Sequence, residues 1–276
     1  MKIAVLSGKG GTGKTTVAAS LAKTVKPCMY LDCDVEEPNG YIFLKPDFTE
    51  SVPVYVSTPV VNTELCNGCG DCARACRFNA IAVVRGNVII FPELCHHCGA
   101  CLIVCKTGAL NEAERQIGIV NIDATRNILQ GKLDIGEMIT IPVIQKIKRY
   151  MRSDIPAVLD CSPGASCTVV QTIEGCDYCL LVTEPTPFGL HDLRIAVSLV
   201  RKMGLPFGVV LNKATDEADL TKKYCEREGI EILLEIPYSR TIAEAYSKGI
   251  LPVDGNDLRR REFESMYGKI RERAGG

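Results

Sequence analysis

The sequence predicts an α/β fold in which a mostly parallel sheet, flanked by helices, is interrupted by a small α+β insert. Three observations carry this. Apolar, strand-length runs alternate with helix-length segments toward both ends of the chain, the alternation stops between about residues 58 and 112, and the interruption holds the same cysteine spacing twice. A chain of 276 residues suits one large domain or two unequal ones, and 46% hydrophobic content can bury a core.

KIAVLS (2–7) is an apolar, β-branched run that stops at glycines, and TTVAASLAKTV (15–25) then repeats Val17, Leu21 and Val25 at helical spacing. CMYLDCD (28–34), AVLDC (157–161), CLLVTE (179–184), GVVLNK (208–213) and ILLEIP (232–237) read as further buried strands, separated by helical stretches such as LHDLRIAVSLVRKMG (190–204). Such alternation predicts a parallel sheet wrapped by helices. Within the interruption AIAVVRG (80–86) and VIIFPEL (88–94) are short β-like pieces. Beyond it 115–137 resumes as strands and 138–151 as a helix. The expected organisation is a discontinuous domain, 1–57 and 113–276, around an insert at 58–112. The repeat at 29-residue spacing, Cys66 to Cys95, makes that insert internally two-fold.

Lys plus Arg (32) nearly balances Asp plus Glu (33), so a net charge of -1 offers no overall attraction for nucleic acid. No apolar run approaches the roughly 18 residues of a membrane span. MKIAVLSGKG lacks a signal-peptide layout, so a cytoplasmic protein beginning at Met1 is expected. Fifteen cysteines in such a chain point to metal rather than disulfides.

GKGGTGKT (8–15) fits G-x-x-x-x-G-K-[ST] between a strand and a helix. Gly8, Gly10, Gly11 and Gly13, with Thr12 among them, let backbone N–H groups converge on phosphate oxygens. The helix start at Thr15 and Thr16 adds partial positive charge, Lys14 reaches the outer phosphates of ATP or ADP, and Thr15 can ligate Mg2+. Lys9, directly after the first glycine, gives KGGTGKTT, which resembles the deviant phosphate loop of the MinD, ParA and nitrogenase iron-protein ATPases. The resemblance implies a P-loop NTPase fold and a nucleotide-sandwiched dimer in which Lys9 reaches the partner's phosphates.

LDCDVEEPNG (31–40) resembles the first switch of that family, with Asp32, Asp34 and Asn39 in place. The resemblance implies that Asp34 positions the attacking water. In VLDCSPG (158–164) it implies that Asp160 holds Mg2+ through water and that Gly164 places an N–H at the terminal phosphate. Asn212 would read the adenine edge, and IPYSRTIAEA (236–245), including Pro237, resembles the base-flanking loop. The matches run in family order over almost all of 1–57 and 113–276. VTEPTPFGLHDLRIAVSLVRK and LDIGEMITIPVIQKIK look most like MinD-type ATPases with an inserted ferredoxin domain, found in anaerobic bacteria and archaea.

The cysteine runs, CNGCGDCARAC (66–76) and CHHCGACLIVC (95–105), share the C-x2-C-x2-C-x3-C spacing by which ferredoxins hold 4Fe-4S clusters, the fourth cysteine of each run crossing to the other cluster. The resemblance implies one cluster on Cys66, Cys69, Cys72 and Cys105 and a second on Cys95, Cys98, Cys101 and Cys76. Zinc favours paired knuckles at longer separation. Arg77 and Lys106 stand where a ferredoxin run has proline, a residue that supplies no ligand. His96 and His97 are expected as exposed loop residues.

Cys28, Cys33, Cys161 and Cys225 are expected as small hydrophobes, and the apolar strand after Cys176 and Cys179 places that pair in the core. Cys167, seven residues after Asp160, resembles the position of a dimer-bridging cluster ligand in the nitrogenase iron protein, but no second such cysteine is evident. In LRRREFESMYGKIRERA (258–274) one helical face carries Leu258, Phe263, Met266, Tyr267 and Ile270. MinD relatives use such a helix at membranes; docking on the chain's own sheet explains the pattern with fewer assumptions. The expected function is an ATPase, a homodimer or a heterodimer with a related ATPase, that couples ATP hydrolysis to electron transfer toward an unidentified redox partner. A cluster or metal carrier, and a redox-sensing positioning ATPase, are the alternatives.

Overall fold

The computed structural model describes residues 1–215 and 219–275. Its strands follow the apolar runs: β1 (Lys2–Leu6), β2 (Met29–Asp32), β8 (Ala157–Asp160), β9 (Tyr178–Thr183), β10 (Phe207–Ala214) and β11 (Ile232–Pro237). β2, β8 and β9 are buried at every position, because a parallel strand covered on both faces has no solvent side to alternate toward. Together with β7 (Ile128–Leu133) they form one parallel sheet in the order β11-β10-β9-β1-β8-β2-β7.

Helices cover both faces. On one face α1 (Lys14–Thr24) and α10 (Asp257–Ala274) pack Val17, Leu21, Phe263, Met266 and Ile270 against Ile3, Val5 and Leu180. On the other, α5 (Ile141–Arg149), α6 (Cys167–Ile173) and α7 (Pro187–Lys202) cover Leu31, Leu159 and Leu181. The C-terminal helix therefore turns its apolar stripe into its own core, while Leu258 stays exposed. No described helix is long and apolar enough to cross a membrane. Cys33, Cys161, Cys176, Cys179 and Cys225 are buried among these apolar side chains.

Beyond β7 the sheet continues as an antiparallel ribbon of β6 (Leu110–Asp123) and β3 (Phe48–Val61). Its register runs from Phe48 opposite Asp123 to Val61 opposite Leu110. The boundaries read at 57/58 and 112/113 thus fall inside two long strands, and the segment at the ribbon's tip is 62–109. β3 is the sheet edge, where Pro53 and Pro59 need no ladder donor on the open side. The tip carries a hairpin of β4 (Ile81–Val84) and β5 (Asn87–Ile90) and two single-turn helices, α3 (Asp71–Ala75) and α4 (Ala100–Ile103). Its apolar core is thin: of the residues buried in it, Cys72 and Cys101 are cysteines beside Ile81 and Leu110.

One arginine ties this tip to the loop after β7. Arg115 on β6 forms a two-pronged ion pair with Glu137, with Nη2 donating to Oε2 at 3.1 Å, and Nη2 also donates to the carbonyl of Pro92 at 3.0 Å. That loop enters α5, where Thr140 Oγ1 and Thr168 Oγ1 of α6 lie 2.8 Å apart.

Candidate functional site

The phosphate-loop motif lies between β1 and α1, at the carboxyl end of the parallel strands. Gly13 is required there on two counts. Its φ of +91° is left-handed, and a Cβ would sit 2.2 Å from Asn212 Nδ2. The first turn of α1 leaves its amides without helical partners, which is the arrangement that receives an anion.

Lys14 is 6% exposed and its Nζ donates to Asp160 Oδ1 at 2.5 Å, with Asp34 Oδ2 at 3.4 Å. Burial alone would lower its pKa, but Asp160 and Asp34 together outweigh burial and hold the ammonium above the ordinary lysine range. Asp160 is fully buried, and its second oxygen accepts from the Tyr30 hydroxyl at 2.9 Å. Asp32 accepts from the amides of Gly40 (2.9 Å) and Asp34 (3.3 Å), which folds the first-switch segment back over β2. Burial, with Asp160 nearby, raises the pKa of Asp34 against the pull of Lys14, and burial with Asp160 nearby raises that of Asp32.

Two neighbouring side chains at the end of β10 grip consecutive carbonyls of the loop. Asn212 Nδ2 donates to the Thr12 carbonyl at 2.7 Å, and Lys213 Nζ to the Gly11 carbonyl at 2.9 Å. Lys213 holds a left-handed φ of +55° to do so. Asn212, expected at the adenine edge, thus bonds the phosphate loop through Nδ2 while it also lines the cleft beside that loop. The Gly164 amide donates to the Ser7 carbonyl at 2.8 Å, so a phosphate contact there requires that bond to open. Lys9 Nζ pairs within its own chain with Glu184 Oε1 at 2.6 Å.

These groups border a cleft of about 500 Å3, lined by Lys9, Gly10, Gly11, Gly13, Lys14, Thr15 and Thr16 on one wall, by Asp34 and Asn39, and by Asn212 and Pro237. Gly8, Thr12, Asp160 and Gly164 are not among its lining residues. The far wall is less polar, with Ile236, Tyr238, Ile242, Tyr246 and Pro252, a surface suited to a flat ring. Sequence reasoning missed Tyr30, Glu184 and Lys213; each acts across the sheet on a residue distant in sequence, and no local spacing announces such a contact.

The eight cysteines of the two runs gather at the ribbon tip around two small cavities. Cys66, Cys69, Cys72 and Cys105 line one, and Cys95, Cys98, Cys101 and Cys76 line the other, each with a free volume of about 20 Å3. Among the described residues, no three His, Cys, Asp or Glu side chains converge closely enough to hold a single metal ion. His96 is exposed and stacks on Phe78 with ring centroids 3.7 Å apart; His97 is half-buried, its Nδ1 2.7 Å from the Ser57 carbonyl, to which it must donate. Arg77 and Lys106 are exposed, and Cys167 is exposed at the start of α6.

The profile of the CobQ/CobB/MinD/ParA nucleotide binding domain matches residues 3–253. The chain belongs to this family. An uncharacterized protein of Methanocaldococcus jannaschii is 31% identical over 268 residues, 94% of each chain. The iron-sulfur cluster carrier protein of Pyrococcus furiosus is 24% identical over 270 residues, covering 90% of this chain and 78% of that protein. Among solved structures, the septum site-determining protein MinD of Pyrococcus horikoshii, complexed with Mg-ADP, shares the fold with a TM-score of 0.59 over 98% of this chain and 95% of its own, at 17% identity. As a member of the CobQ/CobB/MinD/ParA family, this chain is a nucleotide-binding P-loop ATPase.

Proposed function

We propose that the chain is an ATP-hydrolysing iron-sulfur protein that works as a nucleotide-bridged pair of subunits, in the cytoplasm, and couples nucleotide-driven movement to electron transfer. The observation that carries this reading is the crossed partition of the cysteines: each cavity takes three from one run and the last from the other. This is the ligand pattern of a two-cluster ferredoxin. In a 4Fe-4S cluster each thiolate binds a different iron, so its cage is wider than a single-ion site, consistent with cysteines that share a cavity without converging. The thin core of 62–109 also favours the reading, because so small a unit ordinarily needs a staple beyond apolar burial. When bound, the clusters would supply one-electron transfer.

At the nucleotide site the residues fit a magnesium nucleotide. The α1 amides and Lys14 would bind phosphate, the Thr15 hydroxyl would hold the metal, and Asp160 would orient water on it. Asp34 would position the attacking water, and Lys9 would reach the partner's phosphates. Lys14, Tyr30 and Asp160 form one hydrogen-bonded chain, so a phosphate that draws Lys14 away also frees an oxygen of Asp160. The segment from Cys161 to Ser166 joins Asp160 to α6, and α6 is linked through Thr140 and the loop at Glu137 to Arg115 and the insert.

The test is anaerobic reconstitution followed by iron and sulfide counting and by ATPase assays on oxidised and dithionite-reduced protein. Two clusters predict about eight irons per chain, and coupling predicts turnover that changes with cluster redox state. Failure to retain more than about two irons rules out the clusters; equal rates in both states rule out the coupling. The similarity to iron-sulfur cluster carrier proteins favours a second reading, delivery of a cluster to an acceptor. Loss of iron to an apo-acceptor in step with ATP turnover would select it.

A further inference from the structure

Glu184 stands at the end of β9, where none of the chemistry above uses it, and two lysines from different elements converge on it. Lys9 Nζ lies 2.6 Å from Oε1 and Lys213 Nζ 3.1 Å from Oε2, while Lys213 also grips the Gly11 carbonyl at 2.9 Å. The carboxylate side chain is 13% exposed, against 34% for Lys9 and 45% for Lys213. Its backbone is fixed by the start of α7. The Thr186 amide donates to the Glu184 carbonyl at 2.8 Å, Thr186 Oγ1 caps the Gly189 amide at 2.9 Å, and a Cβ on Gly189 would lie 2.3 Å from that carbonyl. A rigid acceptor thus faces two flexible donors. The two ammonium groups offset the cost of its burial and hold its carboxyl below the usual glutamate range, so it stays charged at neutral pH.

We infer that Glu184 is a positioning residue that latches Lys9 to its own subunit, so that Lys9 must leave Glu184 before it can reach a nucleotide on a second copy of the chain. The inference rests on the proposed trans role of Lys9. Latching lowers the fraction of chains ready to pair, and apparent self-affinity falls by that fraction. Because Lys9 is one-third exposed, solvent screens the pair and a single latch is worth only about a threefold effect. A symmetric pair opens two latches, so the expected effect is about tenfold. Lys213 loses no such freedom on pairing, since its other bond holds its own phosphate loop.

The experiment compares full-length wild type, Glu184→Gln, Glu184→Asp and Lys213→Met by sedimentation velocity, with Mg2+ and a non-hydrolysable ATP analogue, over a range of protein concentrations. Glu184→Gln and Glu184→Asp are expected to tighten analogue-dependent self-association by about tenfold. Lys213→Met, which cuts the other arm of the network, is expected to leave it unchanged or weaker. Self-association of either Glu184 variant at or below the wild-type level overturns the latch. Equal tightening by Lys213→Met also overturns it, because general loosening of the loop would then be the cause. A wild type that stays monomeric with the analogue, while still binding it, overturns the trans role of Lys9 and the latch with it.

Discussion

The Tyr30 hydroxyl on β2 donates to Asp160 Oδ2 on β8 at 2.9 Å, while Lys14 takes Oδ1 of the same carboxylate at 2.5 Å. Both oxygens of a fully buried aspartate are thereby assigned before any nucleotide is considered. Gly40 makes the arrangement possible, since a Cβ there would lie 2.2 Å from the Tyr30 oxygen.

Tyr30→Phe removes a donor from a buried carboxylate and leaves Oδ2 unsatisfied. The expected cost is about 1–3 kcal/mol, seen as a melting temperature several degrees lower. Asp160 should also swing more freely, so the Mg2+ concentration giving half-maximal ATP turnover should shift by several-fold while saturating rates change less. Titration of turnover with Mg2+ checks this, and an unchanged midpoint would count against Tyr30 as the residue that aims Asp160.

Asp34 carries a stability penalty. Its folded pKa is raised, chiefly by burial, so the folded chain takes up a proton there more readily than the unfolded chain does. Ionised Asp34 therefore opposes folding above its folded pKa, and the penalty fades as pH falls through that range toward the ordinary value of 3.8. Asp34→Asn should melt about 2 °C higher than wild type at pH 7, with the gap closing in acid, while ATP turnover falls by about 100-fold or more. Thermal melts from pH 4 to pH 8 read the sign directly.

The crossed cysteine arrangement makes a pairwise prediction. Cys76→Ser should reduce iron from about eight to about four per chain after reconstitution. Adding Cys98→Ser to it should remove little more, because both would serve one cluster, whereas adding Cys69→Ser should abolish the remainder. The opposite pattern would mean that each run holds its own cluster.

Arg115→Ala leaves Glu137, 8% exposed, without its cation and frees the Pro92 carbonyl. Hydrogen exchange is expected to rise together at residues 92–98 and 134–138, with a stability loss of about 1–3 kcal/mol. Increased exchange at only one of the two segments would show that the arginine does not tie them.

The legible parts of this chain were those where chemistry is written in consecutive residues. GKGGTGKT placed the phosphate loop, and unbroken apolar runs such as AVLDC and CLLVTE placed the buried strands. The ribbon was hidden because β3 reads FTESVPVYVSTPVV, in which Pro53 and Pro59 argue against a long strand unless the edge position is known. Lys9, Asp34, Asn39 and Asn212, which family order singles out, line one cleft. What Asn212 and Gly164 bond to was not legible, since the Thr12 and Ser7 carbonyls are distant in sequence and identical in kind to any other carbonyl.

The β3–β6 ribbon has a consequence for how such a chain can be assembled. Val61 and Leu110 are directly paired neighbours, so the path leaves for the cysteine-bearing tip and returns at nearly the same point. Neither the parallel strand order nor any crossover helix depends on what lies between them. The tip is placed as a cassette on a two-wire socket: it could be shortened to a tight turn, or exchanged for another module with adjacent ends, at the entropic cost of closing a loop and the loss of the bonds that Pro92 and His97 make to Arg115 and Ser57.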